Sequence, residues 1–458
     1  MKFSRREIYS RVHKMPAIRF VDQRLTSFAG LIIFQPLLSR LQLKKRLRSC
    51  FLHLGQGAIF GHHFLMLLLV VHLLLGFRRL RDLEYYRDDP LVQRILGLNR
   101  LPDVATISRA LNEVDERSVS KGRELSRSLV LERLQTLGLA RLTLDFDGTV
   151  IRNARRAQGT AVGFNPKRKG VRSYYPLFCT VAQTGQVLDF HHRPGNVHDS
   201  NGAREFILSC IAAVRAAMPS VTLEARLDSA FFSDAIVREL DQAGVRFTIS
   251  VPFERFAELK RMIEVHRHWK RLDDTWSYFE SGWKPKVWQR RYRFVFIRQK
   301  SKILDRQPVQ LDLFVPHDYG YEFKVMVTNK GRRASKVLAL HNGRGSQESV
   351  FGELKSQSRM EYVPVRRLYG NQLYMMAAIM AHNLNRELQM ATLPPARGTT
   401  AKRAPLWKFT ELATLRHRLI QRAGRLTHPS GCLTLTLGAN EAVRKELLHF
   451  LDTLEKAA

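Results

Sequence analysis

Cysteine is scarce in this chain: Cys50, Cys179, Cys210 and Cys432 are the only four, far apart and without a Cys-x-x-Cys pair. That spacing excludes a disulfide framework and a cysteine-built zinc site, and a reducing cytoplasm is the expected setting. Long hydrophobic runs are missing too. The most membrane-like stretch, Phe64 to Phe77, has 14 residues with His72 among them, short of the roughly 20 that a span needs. A buried helix is expected there, and no membrane partner. Residues 1–24 carry charges throughout and no apolar signal-peptide core, so export by that route is not expected. There is no Gly-x-x-x-x-Gly-Lys loop, no His-Glu-x-x-His pair and no Gly-x-Gly-x-x-Gly turn, which leaves P-loop nucleotide hydrolysis and zincin chemistry without a local motif. Acidic residues are the minority charge: 41 Asp and Glu face 75 Lys and Arg, a net charge of +34. So strong an imbalance points to a polyanionic partner. The 458 residues, 45% hydrophobic and 25% charged, are globular in character and long enough for several domains.

Helical spacing of apolar residues runs from residue 1 to about 140. Within it, GLNRLPDVATISRALNEV reads as a turn and a helix carrying Ile107 and Leu111, either a helix-turn-helix element or an ordinary helical corner. At Arg141 the period changes. In RLTLDFDGTV, Leu142, Leu144 and Phe146 alternate with Thr143, Asp145 and Asp147, which places both aspartates on one strand face. A hairpin around Thr184-Gly185 follows, then helix, strand, helix and strand to residue 253. This order resembles a ribonuclease-H-like α/β domain. Residues 254–330 break it as a mainly β, Trp-rich insertion, and from Ser281 to Arg306 they carry nine Lys or Arg against one acid, Asp305. Basic density among aromatics suits either a DNA-backbone contact or a charged, solvated edge strand. Residues 331–392 are expected to complete the α/β domain, with helices resuming near Ser346, and 393–458 form a Pro-, Gly- and Thr-containing linker with a basic C-terminal region.

Three carboxylates stand out by context: Asp147 and Asp228 where strands give way to loops, and Glu348 at the start of a helix. Converging there, hard oxygen ligands suit two Mg²⁺ ions, which leave positions for water and phosphate oxygens. Taken singly, an Asp at a strand end also serves as a turn or cap residue. His341, Arg344, Glu348 and Lys355 lie within about 60° of arc if the segment is helical throughout. Gly343 and Gly345 predict a helix start near Ser346, with Glu348 and Lys355 on one face and Glu353 on the other. An amphipathic surface helix with incidental charge pairs fits that segment equally well. His191, His192, His198 and Asp199 gather in a Gly- and Asn-containing loop, but their spacing matches no zinc finger.

Jointly these motifs resemble a DDE-type transposase of bacterial insertion sequences, whose signature is Tyr, two residues, Arg, three residues, Glu, six residues, Lys. Here His341, Arg344, Glu348 and Lys355 occupy those positions, with His in place of Tyr. Asp147 in LDFDGTV and Asp228 in RLDSAFFS match the first two acidic positions, and GFNPKRKGVRSYYPL, HRPGNVHDSNG and TLRHRLIQRAGRL extend the similarity from about Asn99 onward. The resemblance implies a cytoplasmic, nucleoid-associated enzyme that cuts an element's terminal inverted repeats and joins them to target DNA. It implies two Mg²⁺, or Mn²⁺, held by Asp147, Asp228 and Glu348. Phosphate contacts fall to His341, Arg344 and Lys355, while Lys167, Arg168 and Lys169 form either a further backbone contact or a solvated turn. A homodimer on double-stranded DNA is expected, with residues 1–140 binding ends or mediating oligomerisation. A transposase-derived DNA-binding protein without catalysis, or a related metal-dependent nuclease, are the alternatives, and the intact acidic set favours the transposase.

Overall fold

The computed structural model describes residues 15–20, 23–55, 60–152, 156–163, 169–197, 201–300 and 321–456. It is a mixed α/β molecule, and its centre is one nine-stranded sheet. Strands β1 (Arg141–Gly148), β2 (Leu177–Val181), β3 (Val187–His191), β4 (Thr222–Leu227) and β5 (Arg246–Val251) form one part of it. β2 and β3 are the hairpin around Gly185, whose φ of +62° suits a residue without a Cβ. The other part is β6 (Lys270–Arg271), β7 (Trp276–Trp283), β8 (Tyr292–Lys300) and β9 (Tyr321–Thr328). The sheet order is β6-β7-β8-β9-β5-β4-β1-β2-β3, so the strands of the 254–330 stretch continue the same sheet through the antiparallel β9–β5 pair. β1, β4 and β5 run parallel, and β2 and β3 pair antiparallel beside β1.

Strand alternation gives the sheet two unlike faces. Leu142, Leu144, Phe146, Leu223, Ala225, Leu227, Phe247 and Ile249 pack in one apolar core with helices over Ala203–Ala217 and Asp234–Gln242. Thr143, Asp145, Glu224, Arg226 and Thr248 point the other way and are buried as well. A buried polar face needs partners. They come from helices α1 (Ala334–Asn342) and α2 (Ser346–Ser356) and from the residues around Arg403.

The helical part of the molecule is built round two buried helices, the first apolar on nearly every side and the second carrying buried polar groups from His382 to Gln389. His62–Leu75 is buried from Leu65 to Leu75, and Leu368–Thr392 is buried continuously from Leu373 to Met390. All-round hydrophobicity marks an interior helix, and among the described residues no helix is long and apolar enough to cross a membrane. The first helix ends at Gly76 (φ +97°), and the buried Arg416 guanidinium donates to the carbonyls of Leu73 and Leu74 at 3.0 and 2.9 Å. The last-turn carbonyls of a helix lack intrahelical donors; Leu73 also accepts from the Gly76 amide, and Arg416 serves Leu74. The second helix clasps the edge strand: Asn383 accepts from the Val187 amide at 2.9 Å and donates to its carbonyl at 2.8 Å.

The helix of the ATISRALNEV stretch spans Val104–Glu113, capped by Asp103, with Ile107 and Leu111 buried as the spacing predicts. Residues 393–405 hold no helix or strand, yet they are tied down: Lys402 and Arg403 bond to the polar sheet face. Near the C-terminus, Gly424–Thr427 pairs with both Thr434–Leu437 and Leu25–Thr26. In the basic stretch of β7 and β8, several cations have internal partners. Arg290 meets Asp241, Arg293 bonds Glu280 at 2.8 Å, and Arg298 stacks on Trp269 and Tyr321. Lys302, Asp305 and Arg306 fall outside the described residues.

Candidate active site

β1 and β4 are adjacent and parallel, with Phe146 opposite Leu227, so the next residues, Asp147 and Asp228, lie at the same end of neighbouring strands. Asp147 accepts from the Gly148 amide at 2.8 Å and from Arg344 Nη1 at 2.9 Å. Its carboxyl is pushed up to about 6, first by burial and then by the negative charge of Asp228, with Arg344 opposing. The influence of Asp228 on Asp147 shows that the two carboxylates stand near one another. Asp228 also caps the single turn Ser229–Phe231, accepting from the Ala230 amide at 3.0 Å, which is the cap reading of a strand-end aspartate.

The layer beneath fixes what stands above it. Asp145, two residues before Asp147 on the same face, is buried and bonded through both oxygens to the Arg226 guanidinium, which is itself fully buried. Arg226 Nη1 reaches on to the carbonyls of Leu340 and Lys402 at 2.9 and 2.7 Å. Gln347, at the start of α2, donates to the Asp145 carbonyl at 3.0 Å. One guanidinium and one amide thus tie β1, β4, α1, α2 and the 402 segment together. Gly343 lies in the turn joining α1 to α2, where a Cβ would stand 1.9 Å from the Lys402 carbonyl oxygen and 2.3 Å from Arg226. Beside this, Glu224 is buried among Lys330, Arg141 and Arg403 and accepts from Thr143; burial pushes its carboxyl up, but Arg403 and Lys330 hold it down at about 2.

Glu348 is exposed on the first turn of α2, one residue beyond Gln347, and Lys355 is half-buried near the other end of that helix. Among the described residues no three His, Cys, Asp or Glu side chains gather closely enough to hold a metal ion, so Glu348 is not brought into the Asp147–Asp228 pair. Glu353 faces the opposite way, as its spacing predicts, and pairs with Arg386 at 2.5 Å. Arg344 lies at the site as expected, though on the Asp147 carboxylate.

His341 stands elsewhere than the signature led us to expect. Its ring is buried against β5, with Nε2 at 2.8 Å from Ser250 Oγ and Nδ1 at 3.1 Å from Thr248 Oγ1. Burial and the nearby Lys324, Arg344 and Arg226 hold it well below the usual imidazole range, hence neutral. With both nitrogens engaged inside the protein, the ring has no face to offer a phosphate, and the expected DNA contact at this position is withdrawn. Lys169 is exposed in a turn, while Lys167 and Arg168 lie outside the described residues. His191 and His192 are partly buried, desolvation pushes His192 down to about 3, and His198 and Asp199 again lie outside.

Lys324, on β9, was missed by sequence reasoning. It is half-buried, donates to Asn342 Oδ1 at 3.4 Å and is close enough to Arg344 for that charge to help lower it, after burial. Its signal was weak: one Lys in an alternating strand, 20 residues before Arg344. Arg226 had a clearer one, since VTLEARLD places Glu224 and Arg226 opposite three apolar residues.

Residues 12–458 match a family model described as the transposase DDE domain, group 1. No curated protein matches the chain. Among solved structures it is similar to a piggyBac transposase synaptic complex with hairpin DNA, with TM-score 0.43 and 11% identity over 93% of this chain and 84% of that one. It is also similar to a Mos1 transposase paired-end complex with left transposon end, with TM-score 0.17 and 12% identity over 37% of this chain and 57% of that one. A Mos1 mariner paired-end complex with Mn gives TM-score 0.17 and 12% identity over 37% and 56%.

Proposed function

The chain belongs to the DDE transposases, and from that premise we propose that Asp147, Asp228 and Glu348 are its catalytic carboxylates, in a ribonuclease-H-like domain. The protein is accordingly a DNA transposase, an enzyme that cleaves and joins DNA. The strand order β3-β2-β1-β4-β5, antiparallel on one side of β1 and parallel on the other, supports the domain reading. One observation carries the site: Asp147 and Asp228 end adjacent parallel strands, and the charge of the second raises the carboxyl of the first. Such a pair fits a divalent cation, because bringing up positive charge relieves their repulsion.

A pair of Mg²⁺ or Mn²⁺ ions, when bound, supplies activation of the attacking water or 3′-hydroxyl and stabilisation of the leaving oxygen. The chain's own residues prepare that step. Asp147 and Asp228 hold one side of the site, and Glu348, carried on a helix whose start is pinned to the Asp145 carbonyl, supplies the third carboxylate. Arg344 neutralises Asp147 before substrate arrives and is placed to turn its guanidinium to a phosphate instead, bidentate in a way that lysine is not. Lys324, Lys355 and Lys169 add point charges for the DNA backbone. The substrate is double-stranded DNA carrying the element's terminal inverted repeats, then target DNA. The working form on DNA is a homodimer in the cytoplasm.

The test is single-turnover cleavage of a duplex oligonucleotide carrying the sequence that flanks the gene, with Mg²⁺. Asp147→Asn, Asp228→Asn and Glu348→Gln are each expected to lose cleavage and keep end binding. Wild-type cleavage by Asp228→Asn or Glu348→Gln would overturn the assignment.

A further inference from the structure

A groove of about 700 Å³ opens on the helical side of the molecule, and four arginines line it: Arg78, Arg79, Arg81 and Arg152. One glutamate, Glu361, is also present, 3.5 Å from Arg78, so three positive charges are left over. Arg79, Arg81 and Arg152 are exposed, and no acid among the described residues pairs with them. The backbone beneath is held firmly: the Tyr374 hydroxyl donates to the Arg78 carbonyl at 2.9 Å, and the Arg79 amide donates to Asp82 at 2.8 Å. The cations therefore project from fixed points. A cluster of like charges that no acid neutralises is unfavourable unless an anion visits it.

The position of the groove identifies that anion. Arg152 lies on the short strand Ile151–Arg152, five residues past Asp147, so the two Cα atoms are at most about 18 Å apart. At 3.4 Å of rise per base pair, that is about five base pairs of duplex. The opposite wall includes Tyr362 in the loop that follows α2, and Ser108 on the exposed side of the capped helix Val104–Glu113. Two of the three chain segments that carry the carboxylates, those of Asp147 and Glu348, thus run on into the groove, and a helix of the N-terminal region borders it.

We propose that this arginine groove holds the sugar-phosphate backbone of the duplex within about five base pairs of the phosphodiester being cut. The proposal rests on the reading of Asp147, Asp228 and Glu348 as the cleavage site. The groove fixes the register of the DNA on the enzyme, as phosphate contacts do, and carries no sequence information itself.

The experiment compares wild type with R79Q/R81Q/R152Q, binding the same end duplex across a salt series. A second triple, R444Q/K445Q/K456Q on the C-terminal helix Glu441–Lys456, removes equal charge from another surface. The groove triple is expected to bind about tenfold or more weakly near physiological salt, and its slope of log affinity against log salt to be shallower by about 2.7, at 0.9 per lost phosphate contact. R152K should keep most of the affinity, and phosphate-ethylation interference in wild type should fall within about five base pairs of the cut. An unchanged slope in the groove triple, or an equal change in the C-terminal triple, would overturn the proposal. Cleavage persisting in Asp228→Asn would instead overturn the active-site reading, and the binding series would still judge the groove.

Discussion

Removing Arg226 should damage this protein more than removing any single cation on its surface. Arg226 is fully buried, bonds both oxygens of the buried Asp145, and donates to the carbonyls of Leu340 and Lys402. Arg226→Met keeps much of the side chain's volume and deletes the charge, so Asp145 is left alone in the interior. Breaking a buried pair from one side costs about 3 to 5 kcal/mol, because the remaining charge is unpaired and desolvated. The loss should depend on pH. Burial already pushes the Asp145 carboxyl up, and only Arg226 and, more weakly, Arg344 oppose it. In the variant the folded-state value rises further above the unfolded one, so stability is retained below the unfolded value and lost as pH climbs through the folded value. The measurement is urea unfolding of both proteins at pH 5 and pH 8. The expected deficit is near the upper end of that range at pH 8 and clearly smaller at pH 5. Asp145→Leu combined with Arg226→Met should recover about 2 kcal/mol or more, since an apolar pair leaves nothing unpaired. A deficit under about 1 kcal/mol, a deficit independent of pH, or a double variant no better than the single would refute the reasoning.

Asp147, raised to about 6, binds its proton more tightly folded than unfolded, so Asp147→Asn should be more stable than wild type at pH 8 and gain nothing at pH 4. Equal stabilisation at both values would show that the carboxyl is not strained. Gly343→Ala forces a methyl against the Lys402 carbonyl and Arg226, and thermal unfolding should show a loss of about 1 to 3 kcal/mol. An unchanged melting temperature would mean that the 402 segment yields freely. His341→Ala should lower stability and leave the salt dependence of DNA binding unaltered, because the ring bonds Thr248 and Ser250 inside the protein. A shallower salt slope would return His341 to the DNA surface.

Much of the mixed α/β fold was legible because the β1, β4 and β5 stretches alternate cleanly and their bounding turns contain Gly, Asp or Ser. The interior helix Leu65–Leu75 was legible from its length alone. The strand ends that carry Asp147 and Asp228 could be read from the same alternation, while their proximity needed the parallel register. His341 was misplaced because helical spacing says which residues share a face and not which face turns inward. α1 packs on β5, and that decides it. The basic stretch of β7 and β8 looked like free charge because Glu280 and Asp241 become partners only through sheet pairing and packing. Arg226 and Glu224 were passed over because charged residues are ordinarily solvated, and their partners Lys402 and Arg403 lie 176 and 179 residues further on.

That separation has a consequence in time. At 5 to 20 residues per second, a ribosome that has just added Glu224 needs about 9 to 36 s more to add Arg403. Throughout that interval the β1–β4 strand pair can form, but two of the groups that close the layer behind it have not yet been made. The contact between Leu25–Thr26 and Gly424–Thr427 waits longer still. Folding therefore finishes from the tail, and a chain broken off before residue 402 leaves Arg226 short of an acceptor and Glu224 short of a cation. Such fragments should be loose about the active-site strands and open to proteases, so that the power to cut DNA arrives only once residues 402 and 403 have been made.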